Sequence, residues 1–371
     1  MEKANIVIIG AGIVGMAIAA SISENNESVF ILEKNRIMGL ETSSHNSGVV
    51  HSGIHYPNHT LKAKLSIKGN SMIYEISKKF NLPFKRLGKI TVANTEAEIE
   101  ELNELMRYGV ENEIEGIRFL NRNEIKEMEP NVEAELALYT PTTGIVEPTE
   151  LMNYFYSKSM NNGAYLALNT KVNGLRKKND GYEISCIDND RRFSIEAKTV
   201  INSAGLYSDK IAEMLGMNID ELKYRQEYYK GDYYRISGNP PVRMLVYPVP
   251  NGPGLGIHLT PDISGSVRAG PNAYKVSEID YKVETKEEDF RDSIRSYLPS
   301  IDRFKLNEDS SGIRPRLKFS KSNFRDFIIR HEEDRGMFGL INLIGIESPG
   351  LTAAPAIGEY VSEIYENEIK R

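Results

Sequence analysis

The sequence predicts an α/β fold at the two ends of the chain and a mostly antiparallel, β-rich domain in the segments between them. Residues 6–9 and 29–32 are apolar runs on either side of a glycine-rich turn and a helix-forming stretch, the pattern of a strand, a helix and a strand in a buried parallel sheet. The middle of the chain carries short β-like runs broken by glycine and proline, such as KRLGKITVAN and GSVRAGP. A chain of 371 residues is also long enough for two domains.

The composition excludes several classes of function. The formal net charge of −6 argues against nucleic acid as a partner, because nucleic-acid binding needs a basic face. The single cysteine, Cys186, excludes internal disulfides, dithiol redox chemistry and cysteine-ligated iron–sulfur clusters within this chain. The longest apolar run, ANIVIIGAGIVGMAIAA, contains three glycines and fits neither a membrane span nor a signal peptide. We therefore expect a cytoplasmic protein, and leave open a peripheral contact with the inner face of the membrane.

The first apolar strand leads into a dinucleotide fingerprint. The spacing G-x-G-x-x-G is formed by Gly10, Gly12 and Gly15. In this motif the first glycine allows a tight turn, the second lets the backbone approach a pyrophosphate, and the third lets the helix pack against the strand. Glu33 follows the second strand, where a carboxylate accepts hydrogen bonds from a ribose. The pattern predicts a Rossmann-like domain that binds an adenine dinucleotide, with a structural turn as the alternative.

The segments that follow favour FAD over NAD. The chain runs from the second strand into a polar loop, NRIMGLETSSHNSGVVHSGIHYP, which could lie along a longer cofactor. Two later segments repeat the order strand, glycine turn and helix: KTVINSAGLYSDKIAEMLG turns at Ala204 and Gly205, and FGLINLIGIESPGLTAAPAIGEYVSEIYENEI has a strand that ends near Gly345 and a long C-terminal helix. The alternative is that both are ordinary connections between a strand and a helix.

Four of the six histidines lie in residues 45–59. In a helix, His51, His55 and His59 would line one face, as metal ligands do. Glycines and a proline within the segment oppose a helix, however, and an extended backbone would place only His51 and His55 on one face. Since no Asp, Glu or Cys stands in the segment at ligand spacing, we predict no metal site.

Eleven motifs connect the chain with a known family: IVIIGAGIVG, LEK, HNSGVVHSGIHY, LKAKL, LGKI, TGIVEP, SAGLYSDKIAE, KGDYY, YPVP, LGIHLTP and GPNA. With these motifs in this order, the sequence resembles the FAD-dependent oxidoreductases of the D-amino-acid-oxidase-like superfamily over essentially its whole length. Within that superfamily it is most similar to the L-2-hydroxyglutarate dehydrogenase/oxidase group. Two other motifs, GIRPRL and GIESPGLTAAPAIGEYV, look more like those of FAD-dependent glycerol-3-phosphate dehydrogenases.

The resemblance implies FAD and an interleaved chain. The FAD-binding domain would be built from residues 1–85, 145–215 and 330–371, and a mostly antiparallel substrate domain from residues 86–144 and 216–329. The residues expected to bind FAD are Gly10, Gly12, Ile13, Val14, Gly15, Glu33, Lys34, Thr42, Ser43, Ser44, Asn46, Ser47, Gly48, Val172, Ala204, Gly205, Gly345, Glu347, Ser348, Gly350, Leu351 and Thr352.

Oxidation of a 2-hydroxy acid needs a flavin that takes a hydride from carbon and a base that takes the hydroxyl proton. Histidine suits the base because its pKa lies near neutrality. The resemblance places His51 in the loop at the flavin ring, so His51 is the first candidate, with a structural role or a covalent bond to FAD as alternatives. His258 also matches the family pattern and is the second candidate, against a role in the core. For the remaining histidines, His45, His55, His59 and His331, we expect hydrogen bonds or solvent-facing positions.

An anionic substrate also needs positive charge. Arg314, between Gly312 and Pro315, could hold a carboxylate through two bonds, and Lys230 stands among tyrosines; either could instead be a solvated surface residue. Tyrosines could close the pocket or fill the core, and the candidates are Tyr56, Tyr233 and Tyr247.

We therefore predict oxidation of a small anionic 2-hydroxy acid, with L-2-hydroxyglutarate, which would give 2-oxoglutarate, as the first candidate. Glycerol 3-phosphate and an amino acid or secondary amine are the alternatives within the same class. The alternative from another class is a catalytically silent flavin-binding protein. The motifs do not identify the electron acceptor, which could be oxygen, a quinone or a protein.

Overall fold

The structure is a computed structural model that describes residues 2–239, 241–249, 256–318 and 324–370. Pro250 and Leu255, which belong to two of the motifs quoted above, lie outside these ranges. Packing divides the chain into two compact units. The first unit contains Met1–Ser44, Pro148–Tyr228 and Arg314–Arg371, and the second contains His45–Glu147 and Tyr229–Ile313. Among the helices of the described ranges, none has both the length and the apolar character that crossing a bilayer requires.

The elements are numbered in chain order. The α-helices of the described residues are α1 (Ile13–Ile22), α2 (Leu61–Phe80), α3 (Glu96–Glu111), α4 (Arg122–Met128), α5 (Pro148–Asn161), α6 (Ser208–Met214), α7 (Glu287–Arg295) and α8 (Gly350–Ile364). The strands are β1 (Glu2–Ile9), β2 (Val29–Leu32), β3 (Val49–Val50), β4 (Phe84–Lys85), β5 (Lys89–Ala93), β6 (Arg118–Asn121), β7 (Leu136–Thr140), β8 (Gly144–Val146), β9 (Tyr165–Ala167), β10 (Thr170–Lys178), β11 (Gly181–Asp188), β12 (Arg191–Asn202), β13 (Gln226–Ser237), β14 (Leu245–Pro248), β15 (Leu259–Pro261), β16 (Val267–Ala269), β17 (Tyr274–Val276), β18 (Lys305–Leu317), β19 (Ile328–Glu332) and β20 (Met337–Ile344).

A mixed sheet with a parallel centre forms the first unit. Strand β1 lies between β2 and β12 and is parallel to both, β12 is also parallel to β20, and β2 is parallel to β9. Because these strands are buried on both faces, they are continuous apolar runs, and Ile6, Val7 and Ile8 are fully buried. The two strands predicted around the glycine turn are confirmed, as are the strand before Gly345 and the long helix after it.

Helix α8 packs closely against α1 at a glycine. A Cβ atom at Gly358 would lie 2.5 Å from the carbonyl oxygen of Ala17, so only a glycine permits this approach. The close approach holds the C-terminal helix against the helix that follows the dinucleotide fingerprint.

A buried carboxylate organises the polar interior of the first unit. Glu332, at the end of β19, is 0 % exposed. One of its oxygens accepts hydrogen bonds from the Tyr224 hydroxyl at 2.6 Å and from Asn342 Nδ2 at 2.9 Å, and the other faces Arg335 Nη1 at 2.6 Å. Asn202 Nδ2 in turn donates to Asn342 Oδ1 at 2.8 Å, which connects the network to the end of β12. The Glu332 carboxylate is thus the acceptor that joins Tyr224, Asn342 and Arg335.

We expect Glu332→Ala to lower the free energy of unfolding by about 3–5 kcal/mol, since it leaves a buried hydroxyl, an amide and a guanidinium without their acceptor. Urea unfolding followed by circular dichroism measures the change. Glu333→Ala, at the exposed neighbouring position, should change the stability by less than about 0.5 kcal/mol. Equal losses for the two variants would contradict this assignment.

A nine-stranded sheet forms most of the second unit. Strands β13, β16, β15 and β14 pair antiparallel in that order, as do β5, β7 and β6, whereas β5 and β14 are parallel. A small sheet in the order β3, β8, β4 lies in the same unit. The fold is therefore the predicted one, a Rossmann-like α/β domain interleaved with a mostly antiparallel β domain.

Two features differ in detail from the sequence-based picture. Residues 45–85 pack with the second unit, because β3 and β4 pair with β8 there. The domain boundaries given above concern which segments hold the cofactor, and they stay a prediction. In the histidine-rich segment only Val49–Val50 is extended; the chain then turns through Gly53, which has a φ of +95°, so a single extended run from His51 to His55 does not form.

Candidate functional site

Two of the three glycines in the turn after β1 allow close packing of the backbone, and the third borders the space beside the helix N-terminus. Gly10 has a φ of +100°, and a Cβ there would lie 2.7 Å from the Ser203 carbonyl oxygen. A Cβ at Gly15 would lie 2.0 Å from the Gly10 carbonyl oxygen. Apart from its chain neighbours, the described residues bring only the Ser43 hydroxyl close to a Cβ at Gly12, at 2.9 Å. Gly10 and Gly15 therefore allow the strand and helix to pack, whereas Gly12 leaves room beside the helix N-terminus, where a pyrophosphate can approach.

The Ser43 hydroxyl accepts a hydrogen bond from the Ile13 backbone N–H at 2.9 Å. This N–H belongs to the first turn of α1, whose donors have no partner within the helix. The loop that contains Ser43 is thus attached to the end of the helix that attracts negative charge.

Glu33 follows β2 and is only 6 % exposed. Its two oxygens accept backbone hydrogen bonds from Ala11 and from Asn35, each at 2.9 Å. Burial raises the pKa of the Glu33 carboxyl, and the two N–H donors oppose that rise. These two hydrogen bonds fix the carboxylate beside the glycine turn. Each oxygen can accept a further hydrogen bond, such as one from a ribose hydroxyl.

A glutamine that the sequence did not single out holds two of the predicted cofactor turns in place. Gln226 Nε2 donates to the Gly205 carbonyl at 3.1 Å, and its Oε1 accepts from the Gly345 N–H at 2.8 Å. The turn after β12 and the turn after β20 are therefore fixed by one side chain. Among the described residues, a Cβ at Gly205 would meet no heavy atom within 4 Å, so this turn has open space beside its backbone.

The other predicted cofactor residues of the first unit lie near these turns or in elements next to them. Lys34 pairs with Glu41 at 2.6 Å and lies 3.6 Å from the centre of the Tyr207 ring. The remaining positions are Val14 in α1, Thr42 and Ser44 in the loop beside Ser43, Val172 buried in β10, Glu347 and Ser348 between β20 and α8, and Gly350, Leu351 and Thr352 in the first turn of α8.

Asn46, Ser47 and Gly48 belong to the second unit. Asn46 Oδ1 accepts from the Gly48 N–H at 2.8 Å, and the Ser47 and Tyr233 hydroxyls are 3.1 Å apart. Arg268 donates to the Asn46 carbonyl at 3.3 Å. These bonds fix the loop that leads into β3 and the histidines.

The second unit also contains a group of four basic side chains and one tyrosine, which we call the histidine cluster. Its members are His51, His55, His258, Lys89 and Tyr247. The Tyr247 and His258 rings are stacked with their centres 3.5 Å apart. Lys89 Nζ lies 3.1 Å from His55 Nε2 and 4.9 Å from the centre of the Tyr247 ring. Burial lowers the pKa of His55 well below its ordinary value, and the charges of Lys89, His51 and His258 lower it further. The cluster thus brings the two candidate bases together with His55, for which a hydrogen bond or a solvent-facing position was expected, and with Lys89, which the sequence analysis did not single out.

Two further predicted residues of the second unit are Lys230 and Tyr56. Lys230 is 1 % exposed, and its ammonium lies 3.3 Å from Glu284 and 3.6 Å from Asp280, so it already has two anionic partners. Tyr56 contacts His55 edge to face, with ring centres 6.5 Å apart. Their roles toward substrate stay predictions.

Arg314 is half-buried and lies in β18, in the part of that strand that belongs to the first unit. Within the part of the chain that the structure describes, it forms no ion pair, whereas Arg316 two residues later lies 3.7 Å from Glu347. Among the same described residues, no group of three His, Cys, Asp or Glu side chains could hold a metal ion.

The comparisons with known proteins agree with this arrangement. The family described as FAD dependent oxidoreductase, DAO, matches residues 5–364. The chain belongs to this family. It is 36 % identical to an L-2-hydroxyglutarate dehydrogenase, mitochondrial, of Arabidopsis thaliana, over 97 % of this chain and 83 % of that protein. It is 33 % identical to a glycerol 3-phosphate dehydrogenase of Caloramator mitchellensis, over 99 % of this chain and 75 % of that protein.

A solved structure of this flavoprotein fold is similar throughout. The FAD-bound, dithionite-reduced L-alpha-glycerophosphate oxidase of Mycoplasma pneumoniae superposes with a TM-score of 0.85 at 28 % identity, over 98 % of this chain and 94 % of that one. The cofactor of this DAO-family protein is FAD, and its own residues fit it. The room beside Gly12, the fixed Glu33 carboxylate and the open turn at Gly205 are the features that an adenine dinucleotide requires.

Proposed function

We propose that this DAO-family oxidoreductase oxidises L-2-hydroxyglutarate to 2-oxoglutarate. The observation that carries the proposal is the 36 % identity to an L-2-hydroxyglutarate dehydrogenase over almost the whole chain. The motifs HNSGVVHSGIHY, KGDYY and YPVP support the same substrate, because they resemble those of that group.

The oxidation removes two electrons and two protons from a secondary alcohol. FAD, when bound, supplies the two-electron acceptor. The protein must then accept the hydroxyl proton on a side-chain nitrogen, and His51 is our first candidate and His258 the second. The stacking of His258 on Tyr247 fixes the orientation of its ring, which favours an aligned proton transfer. His258 is 4 % exposed, so water competes little for its ring.

The substrate carries two carboxylates, and the chain offers positive charge to match them. Arg314 is a guanidinium without an ion-pair partner among the described residues, and such a fork can hold a carboxylate through two parallel bonds. Lys89 likewise has no carboxylate within ion-pair distance in the described ranges. Both features support an anionic substrate.

A second candidate is glycerol 3-phosphate. It is favoured by the identity to the Caloramator mitchellensis protein and by the motifs GIRPRL and GIESPGLTAA. A phosphate would suit Arg314 as well as a carboxylate does.

Anaerobic bleaching of the flavin tests the proposal. We expect L-2-hydroxyglutarate to bleach the FAD absorbance, and expect its D-enantiomer, glycerol 3-phosphate, proline and glycine to do so much more slowly. Efficient bleaching by glycerol 3-phosphate and not by L-2-hydroxyglutarate would overturn the substrate assignment. Flavin that no member of the panel reduces would favour the silent flavin-binding alternative.

Arg314→Lys should lower kcat/KM for L-2-hydroxyglutarate by about tenfold or more and leave FAD bound, because a lysine offers only a point charge. If Arg314 holds the distal carboxylate, shorter hydroxy acids will lose much less than the diacid. Arg303→Lys, at an exposed position, is the matched control and should retain wild-type kinetics. Unchanged kinetics on every substrate in Arg314→Lys would remove this residue from the site.

A further inference from the structure

Lys89 is the most unusual charged residue of the second unit. Its side chain is almost fully buried, with 1 % exposure, and a buried lysine normally pairs with a carboxylate. Within the described residues its polar contact is instead His55 Nε2 at 3.1 Å. Nothing in the local sequence LGKI marks this lysine as buried, since its burial results from the pairing of β5 with β7 on one side and β14 on the other.

Several groups of the second unit lie near Lys89 or near its partner His55. The loop after β3 provides the imidazoles of His51 and His55. Tyr247 in β14 provides a phenol, and His258, directly before β15, provides a third imidazole. Thr140 in β7 provides a neutral hydroxyl, which donates to the Lys89 carbonyl. In the described part of the chain, no carboxylate lies within ion-pair distance of the Lys89 ammonium.

Such a cluster holds one positive charge far more easily than two, because two positive charges close together in a buried site repel each other strongly. Between Lys89 Nζ and His55 Nε2, a single proton lies on one nitrogen and is shared with the other. When the ammonium holds it, His55 Nε2 must be the acceptor, so that ring carries its own proton on Nδ1.

We propose that Lys89 is a positioning residue of the histidine cluster: its ammonium holds the positive charge of the cluster and so keeps the neighbouring imidazoles neutral and able to accept a proton. The inference rests on the proposed function for its role in catalysis, but the charge arrangement itself requires no substrate.

The pKa directions support the geometry. Burial lowers the pKa of Lys89 to about 7, so its charge is present mainly below neutral pH. In that range the ammonium opposes protonation of His55, whose pKa burial has already lowered. A neutral residue in place of Lys89 removes one of the charges that lower the pKa of His55, so that pKa should rise and the acid limb of the rate should move to higher pH.

The test combines a titration that needs no substrate with a rate measurement. In the FAD-loaded protein with isotope-labelled histidine, NMR should show His55 neutral well below its ordinary pKa of about 6.5. In Lys89→Met we expect the histidine titrations of the cluster to move up by about one pH unit, and the acid limb of flavin reduction to move with them. In Lys89→Arg, which keeps a charge, the histidine pKa values should stay low. Lys64→Met, at an exposed position of α2, should change neither.

Unchanged histidine titrations in Lys89→Met would overturn the proposal. If that variant does not fold, the wild type still tests the proposal, because His55 titrating at its ordinary pKa would overturn it without any substitution. The titration also separates this inference from the substrate assignment. A panel in which no 2-hydroxy acid bleaches the flavin would refute the proposed function and leave the histidine titrations to be judged alone.

Discussion

Replacement of Gly12 by leucine is expected to abolish FAD binding and to leave the protein folded. Gly12 has a φ of −76°, which any residue can adopt. A Cβ there would lie 2.9 Å from the Ser43 hydroxyl, so this short side chain must shift, but the backbone of the described residues can stay in place. A leucine side chain would, however, fill the space that a pyrophosphate needs beside the N-terminus of α1.

The flavin absorbance of the purified protein measures this loss, and thermal unfolding shows whether the variant is folded. Gly12→Ala adds one methyl group and should weaken binding less than leucine does, so the pair gives a graded series. Gly15→Ala should behave differently and unfold the protein, since its Cβ would collide with the Gly10 carbonyl oxygen. One FAD per chain in purified Gly12→Leu would show that the pyrophosphate does not approach this turn.

His51→Ala is expected to lower the rate of flavin reduction by roughly a hundredfold or more, the usual effect of removing a positioned base. Anaerobic stopped-flow measures this rate directly. His59→Ala is the matched control, because His59 is exposed and belongs to the same segment. It should retain the wild-type rate.

Two other outcomes reassign the role of His51. Wild-type reduction in His51→Ala with FAD intact would make His258 the base, and His258→Ala would then show the large loss. If denatured wild-type protein keeps its flavin and denatured His51→Ala does not, His51 is the covalent attachment point.

Local patterns predicted the first unit well. Residues 29–32 form a strand with the predicted bounds, and the fingerprint glycines lie where the spacing required. Both predictions depend on contacts between residues that are near in sequence, and apolar runs and glycines record such contacts directly.

Long-range contacts account for what the sequence did not predict. Gln226 is 21 residues from Gly205 and 119 from Gly345, and its role arises only when both turns reach it. Lys89 shows the same limit, since its neighbours come from strands far apart in the chain. The packing of residues 45–85 with the second unit depends on β8, which no local pattern connects with that segment.

The sheet of the first unit also constrains how the protein can be made. At its centre Ile8 pairs with Ile201, and Ile201 pairs with Ile341, so neighbouring strands come from the start, the middle and the end of the chain. During synthesis, β1 and its fingerprint leave the ribosome with one edge unpaired until β12 follows. The last residues of β12, 200–202, then keep one edge unpaired until β20 is complete. Strands joined over such distances fold slowly and expose apolar surface meanwhile. The nascent chain should therefore depend on protection from aggregation until nearly all of it has been translated.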